Sequence, residues 1–488
     1  MSEEFKKESR SRPAPPEPRV SMKGRCIPLA RQVPAGLASV VLLCFLLPLF
    51  SFAQTSSRAI DPGEVLALSR AIEIALETQP TIVGARYTVR ANEARVGEAQ
   101  SSYYPQLNTS ASYSRYSSLT TATLASVPVS GGASALGAGP SIVPSPSISP
   151  ISTGAFNQYT ANLGLTQIVY DFGKTSTQVR INKLNKDAAR FDLANVEQTV
   201  VLNVKQAYYN VLQAQRNAEV SRQSVKQFQQ HLEQARGFFE VGTRARFDVT
   251  KAEVDLSNAQ VSLIAAENQI KLAFVTLNNA IGIPNAPDYR LEDSLLYERF
   301  ELPFEDALEQ AYARRPDLLA QIKRKESSRQ SIDLARKGYF PIFTAYGNYD
   351  YSGSDFPLQS GWSYGLSMSI PIFNGLLTRY QINEAQANFG TLSANEQSLR
   401  LDIYSQVQQG YVNLGDASER IKASELAVRQ AKENVDLANG RYEEGVGSPL
   451  EVTDAIVAQS NAELTHTAAL SDYKNAQAAI EKAIGGTR

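Results

Sequence analysis

Thiols, imidazoles and long apolar runs are scarce in this chain, and each scarcity removes a class of function. Cysteine occurs only as Cys26 and Cys44 among 488 residues. Both fall in an N-terminal stretch that reads as a leader. Gly36 to Phe50, "GLASVVLLCFLLPLF", is an apolar run preceded by Arg25 and Arg31 and followed by the small-residue cut site Ser51-Phe52-Ala53. The run is shorter than the roughly 20 residues a spanning helix needs, so residues 1–53 are expected to be an N-terminal extension and signal peptide. Residues 1–21 are charged and Pro-rich, and Met22 reads as the better start. Removal of 1–53 leaves 40 Lys+Arg and 45 Asp+Glu, a net charge of −5, and no cysteine. An exported chain without thiols has no disulfide, no cysteine nucleophile and no cysteine-borne lipid anchor. Histidine occurs only as His231 and His466, both in heptad-patterned stretches, where they read as surface helix residues. No metal-ligand spacing and no nucleophile–base pairing stands out, so neither catalysis, a cofactor nor a metal is expected. The near-neutral balance argues against nucleic acid as a partner. A mean hydropathy of −0.25 is too polar for a bundle of membrane helices.

What the chain does contain is one unit written twice. "FEVGTRARFDVTKAEVDLSNAQ" (Phe239–Gln260) and "YEEGVGSPLEVTDAIVAQSNAE" (Tyr442–Glu463) share nine of 22 positions at an offset of 203. "RAIEIALETQP", closing at Pro80, answers "EDALEQAYARRP", closing at Pro316, and "YYPQL" at Tyr103 answers "YFPIF" at Tyr339, both at an offset of 236. The offset falls because the first copy carries an insertion, Thr123 to Gly154, dominated by Ser, Gly, Pro and Ala and read as a loop. The organisation expected is a first repeat over 60–282, a connector over 283–303 and a second repeat over 304–486.

Period-two segments fall at Leu107–Tyr116, Phe156–Val169, Phe343–Tyr351 and Trp362–Ile370, predicting two strand hairpins, about 105–170 and 341–373, each strand with one apolar and one polar face. Pro371 belongs at a strand end. Helical hairpins are expected over 174–281 and 375–484. From Ala189 to Ala235 apolar or small residues recur in steps of three and four, and the same register recurs 203 residues later, from Leu392 to Ala438. Gly242 and Gly445 then mark the turns of two antiparallel hairpins. Four strands cannot close a sheet, and open edges in lipid leave backbone groups unpaired at several kcal/mol each. Copies must therefore share a barrel. Two give about 8 strands, three about 12 and four about 16, and a conducting lumen favours three.

The duplicated tips, the strand hairpins and the signal peptide together resemble the TolC-type outer-membrane efflux protein family over about residues 60–486. The resemblance implies an α+β membrane protein: a trimeric 12-stranded outer-membrane β-barrel, four strands per chain, continued by a long periplasmic α-helical barrel. It implies an exit duct for a tripartite efflux or type I secretion system, with a periplasmic adaptor and an inner-membrane pump as partners. Its gate lies at the second tip, and the matching positions here are Glu451, Asp454 and Tyr442. The family arginine position is Gly447, a departure; Arg244 or Arg246 of the first tip is the candidate replacement, pairing with Glu451 or Asp454, and Asp248 is a further gate candidate. Adaptor docking is implied for Val241, Gly242, Thr243, Gly445, Val446 and Gly447. Trp362, Tyr364, Tyr159, Tyr349 and Tyr351 suit an interfacial aromatic girdle. The competing reading is a structural or adhesive surface stalk on a small anchor barrel; a diffusion porin carries many more strands per chain.

Overall fold

Each half begins with two helices that a proline divides at the same place. In the computed structural model, which describes residues 60–117 and 155–486, the first half runs β1 (Val65–Leu66), α1 (Leu68–Thr78), α2 (Pro80–Ser101), β2 (Gln106–Ser117), β3 (Ala155–Tyr170), α3 (Lys174–Glu240) and α4 (Arg246–Ile281). The second runs β4 (Arg290–Leu291), α5 (Phe304–Arg314), α6 (Pro316–Arg336), β5 (Ile342–Gly353), β6 (Gln359–Ser369), α7 (Leu377–Glu443) and α8 (Pro449–Ala483). Pro80 and Pro316 each occupy a first helical turn, where a missing N–H leaves no bond unmade. The leader and the Ser/Gly/Pro-rich insertion expected from the sequence lie outside the described residues.

The four long strands form one antiparallel sheet in the order β2-β3-β5-β6. Its register puts Leu107, Leu165, Gly347 and Tyr364 in one row and Thr109, Leu163, Tyr349 and Trp362 in the next on the same side. The opposite side aligns Ser110, Asn162 and Asp350, where the Asn162 amide donates to the Asp350 carboxylate at 2.5 Å, and Ser112 with Thr160, whose hydroxyls lie 2.7 Å apart. One face is thus aromatic and aliphatic, the other hydrogen-bonded and polar. Strand β6 stops before Pro371. Among the described residues β2 and β6 each keep one unpaired edge. Among the described residues no helix is long and apolar enough to cross a membrane.

Helices α3 and α7 have 67 residues each, about 100 Å at 1.5 Å per residue. Their seams bury the residues that the three-and-four spacing selects: Val204, Ala207, Val211, Ala214, Leu232 and Ala235 in α3, and Ile403, Val407, Leu414, Ile421, Val435 and Ala438 in α7. Helix α4 returns along α3 and α8 along α7. The small residues set the spacing: a Cβ on Gly410 would come within 2.7 Å of the Ile480 side chain.

Internal symmetry extends to single hydrogen bonds. Tyr208, buried in α3, donates to the carbonyls of Leu66 at 3.0 Å and Glu292 at 2.8 Å, so it clamps the parallel β1–β4 pair. Its counterpart Tyr411 donates to the Leu302 carbonyl at 2.6 Å. Burial pushes the Tyr208 and Tyr209 phenols up to about 12. Gln79 donates to the Ala280 carbonyl, and Arg315, its repeat partner, to the Ala483 carbonyl. Gly282 and Gly485 end the returning helices at φ +88° and +89°, pressed against the backbone of Gln79 and Arg314.

Candidate functional site: the paired helical tips

A helix of 67 residues must end by satisfying its last carbonyls, and both long helices do so in the same way. After α3, the Thr243 amide donates to the Phe238 carbonyl and the Gly242 amide to Phe239. After α7, Val446 donates to Arg441 and Gly445 to Tyr442. This bonding needs a left-handed residue, and Gly242 and Gly445 supply it at φ +75° and +77°. A Cβ on either would meet nothing within 4 Å, so both glycines face open space. Val241 and Val446 beside them are exposed as well. The second tip adds a third bond, Gly447 to the Arg441 carbonyl at 2.8 Å. This folds Gly447 so closely onto α7 that a Cβ would lie 2.9 Å from backbone atoms of Arg441 and Tyr442. No side chain fits there without moving the helix end, which suits glycine at this position.

The two tips are tied together by an arginine from the other repeat. Arg244 donates to the Gly447 carbonyl at 2.7 Å and the Gly445 carbonyl at 3.3 Å, with its guanidinium 5.3 Å from the Tyr442 ring centre. The cross-tip reach expected of Arg244 is therefore present, but its acceptors are backbone carbonyls rather than Glu451 or Asp454. Arg246 is exposed. Glu451 meets Arg441 of its own tip, Nε to Oε2 at 3.2 Å. Its amide is capped by the Ser448 hydroxyl at the start of α8. Asp454 lies exposed one turn further along. Asp248 stands in the first turn of α4, where a helix dipole favours an acid.

Tyr442 is fully buried, in a cluster with Val225, Phe228, Val435, Val452 and Ile456. Phe238 packs edge-on to its ring at 5.4 Å. Burial, with the nearby Asp248 charge, pushes its phenol up, while Arg244 opposes that shift. The second partner of Tyr442 corrects the sequence reading. His231 is not on a helix surface: it is 2% exposed, with its ring 5.0 Å from that of Tyr442. His466 is also half-buried, its Nδ1 3.0 Å from the Ser424 hydroxyl. Heptad spacing places both on a helix but does not say that a second hairpin covers them.

Sequence reasoning also missed Asp255. It is buried in α4, where Lys251 Nζ reaches its two oxygens at 2.5 and 2.7 Å. Its Oδ2 accepts from the Thr453 hydroxyl of α8 at 3.0 Å. This charge-assisted bond joins the two hairpins just behind the tips. The i,i+4 Lys–Asp spacing is readable in the sequence; the partner in the other repeat is not.

At the sheet, Trp362, Tyr364, Tyr159, Tyr349 and Tyr351 share the apolar face, with Trp362 stacked on Tyr364 at 5.6 Å. A second aromatic group sits at the opposite strand ends: Tyr170 lies 4.7 Å from Phe172, which stacks on Phe340 at 5.2 Å. The motifs "YDFGK" and "YFPIF" that carry it read from sequence only as repeat markers.

Comparison with known proteins agrees with this architecture. The profile of the outer membrane efflux protein family matches residues 71–283 and 307–486. Outer membrane protein TolC of Escherichia coli (strain K12) is 27% identical over 352 residues, covering 67% of this chain and 70% of that protein. The crystal structure of CusC superposes with a TM-score of 0.72 at 17% identity, covering 86% of this chain and 92% of that one. The Campylobacter jejuni CmeC outer membrane channel gives 0.69 at 19% identity, covering 86% and 85%. With the profile spanning most of both repeats, the chain belongs to the outer membrane efflux protein family and is an exit duct of the outer membrane.

Proposed function

We propose that three copies join edge to edge, β6 of one to β2 of the next, to close a 12-stranded barrel, and that the paired tips form its periplasmic gate. The single observation that carries this reading is the sheet itself. It has one apolar face, one polar face and two open edges, and it continues into helices far too long for a lone globular domain. Three copies give a lumen wider than the side chains that fill an eight-stranded barrel. In that assembly the apolar face with Trp362 and Tyr364 meets lipid, and the Asn162–Asp350 face meets water.

Closure rests on Arg244 holding the second tip through Gly445 and Gly447, on the Tyr442 packing beneath it and on the Asp255–Thr453 bond behind it. Glu451 and Asp454, repeated around an axis, set a ring of carboxylates that favours cations at the mouth. Gly242 and Gly445, open on their outer side, with Val241, Thr243, Val446 and the glycine-turned backbone around Gly447, offer the docking surface for a periplasmic adaptor that links the duct to an inner-membrane pump. The chain does no chemistry of its own in this scheme. The named relatives are outer-membrane proteins and channels, and none supports the adhesive-stalk reading.

The test is reconstitution. Purified protein should run as a trimer in detergent and form cation-preferring pores in planar bilayers, and deletion of its gene should sensitise the host to dyes and detergents. A protein that stays monomeric and never conducts overturns the reading.

A further inference from the structure

We propose that His231 is a proton-responsive element of the periplasmic closure: on taking up a proton it loosens the packing between the two hairpins and shifts the channel toward its open form. The proposal rests on the gate reading above and adds a residue that neither the duplication nor the tip motif singles out.

The geometry that carries it is a pair of buried polar groups with nothing to bond. Nδ1 of His231 is buried without a hydrogen-bond partner, and so is the hydroxyl of Tyr442, the side chain it packs against. These two rings join α3 to α7, so the contact bridges the first hairpin and the second. A neutral imidazole can keep one ring nitrogen unbonded, at a moderate desolvation penalty. An imidazolium must donate from both nitrogens and carries a charge that burial penalises far more.

The surrounding ionisable groups relieve that charge only in part. From α4, Asp255 is already held by Lys251 and by the Thr453 hydroxyl, Lys251 opposes a second cation, and Asp248 stands in the first turn. From α7 come Tyr442, which has the Arg244 guanidinium over its ring, and Glu443, which accepts from Gln234 at 2.9 Å. On α3 itself Glu233 lies two residues away and lines the same polar groove as Gln227, Gln230 and Gln234. From α8 the neighbours in that groove and behind it, Ile456, Thr453 and Gln459, do not titrate.

Burial accordingly holds His231 below its ordinary value, with Asp255 and Asp248 offsetting part of the effect and Lys251 adding to it. The direction of linkage follows. An opened tip returns the imidazole to water and to about 6.5. The closed form therefore keeps its full advantage above about 6.5 and loses it as the pH falls below that, by up to tenfold per unit between the two values in each copy.

The experiment uses the full protein in planar bilayers at about pH 7.5 and about pH 5.5, a window in which ordinary carboxylates stay ionised. Wild-type open probability should rise severalfold at the lower pH. His231→Gln and His231→Phe should assemble as the wild type does and show no such rise. Pores that ignore pH in the wild type, or variants that keep the acid response, overturn the switch and leave the duct standing; a wild type that forms no pores overturns the duct itself. Hydrogen exchange at the Gly445 and Gly447 amides of the wild type provides a check that needs no variant. After correction for intrinsic rates, protection there should fall at the lower pH, and unchanged protection overturns the proposal.

Discussion

Arg244 and Gly447 occupy the same position of the duplicated tip, 203 residues apart, and the guanidinium of one donates to the carbonyl of the other at 2.7 Å. Duplication has let two copies of one turn diverge into a donor and an acceptor. The second tip dispenses with a side chain at this point because its backbone folds against α7, and the first tip supplies the cation instead.

Removing that cation should loosen the closure. Arg244→Ala forfeits a charge-assisted bond of about 1.5–3 kcal/mol together with the contact over Tyr442. Single-channel conductance in planar bilayers should rise. Arg244→Lys, which keeps the charge but not the planar fork that reaches two carbonyls, should fall between the two. Equal conductance in all three would remove Arg244 from the gate.

The two acids of the second tip should behave differently. Both are exposed, but Glu451 is partnered by Arg441 next to the Ser448 cap, whereas Asp454 stands a turn further into α8. Asp454→Asn should therefore reduce cation preference more than Glu451→Gln, and the double variant should conduct best. Reversal potentials in a salt gradient measure this; an unchanged potential in the double variant contradicts the carboxylate ring.

Docking can be separated from folding at Gly242. Its φ of +75° is one that asparagine tolerates better than other side chains, and an added Cβ meets no neighbour. Gly242→Asn should leave trimers intact yet sharply reduce crosslinking to the adaptor. Normal crosslinking would show that the outer side of this turn is not a contact.

Stability offers a test of the internal symmetry. Tyr208→Phe removes two hydrogen bonds, those to the Leu66 and Glu292 carbonyls, while Tyr411→Phe removes one, to Leu302. At about 0.5–1.5 kcal/mol for each hydrogen bond lost, the first variant should melt at the lower temperature by thermal denaturation in detergent.

Much of this was legible in the residues. Alternation of apolar and polar side chains marked all four long strands to within a few residues, because a sheet with lipid on one face and water on the other imposes a strict period of two. Steps of three and four fixed the seams from Ala189 to Ala235 and from Leu392 to Ala438, because each long helix packs along one stripe. The tip was legible only in part. Glycine at 242 and 445 announced the turns, but spacing along one helix holds no information about which helix will lie across it. His231 read as exposed and Asp255 was passed over for that reason: both are buried by residues almost 200 or more positions away. The partner of Arg244 was missed because its acceptors are main-chain oxygens, which every residue has.

In the ring proposed above, the two free margins of the sheet, on β2 and β6, meet each other, so the seam between copies joins unlike surfaces. Such a seam cannot pair two molecules face to face about a twofold axis; it must run around a ring in one sense, every member serving as both giver and receiver. A lesion confined to either margin will thus be dominant in cells that also make the intact protein, since one faulty member leaves the whole ring unsealed.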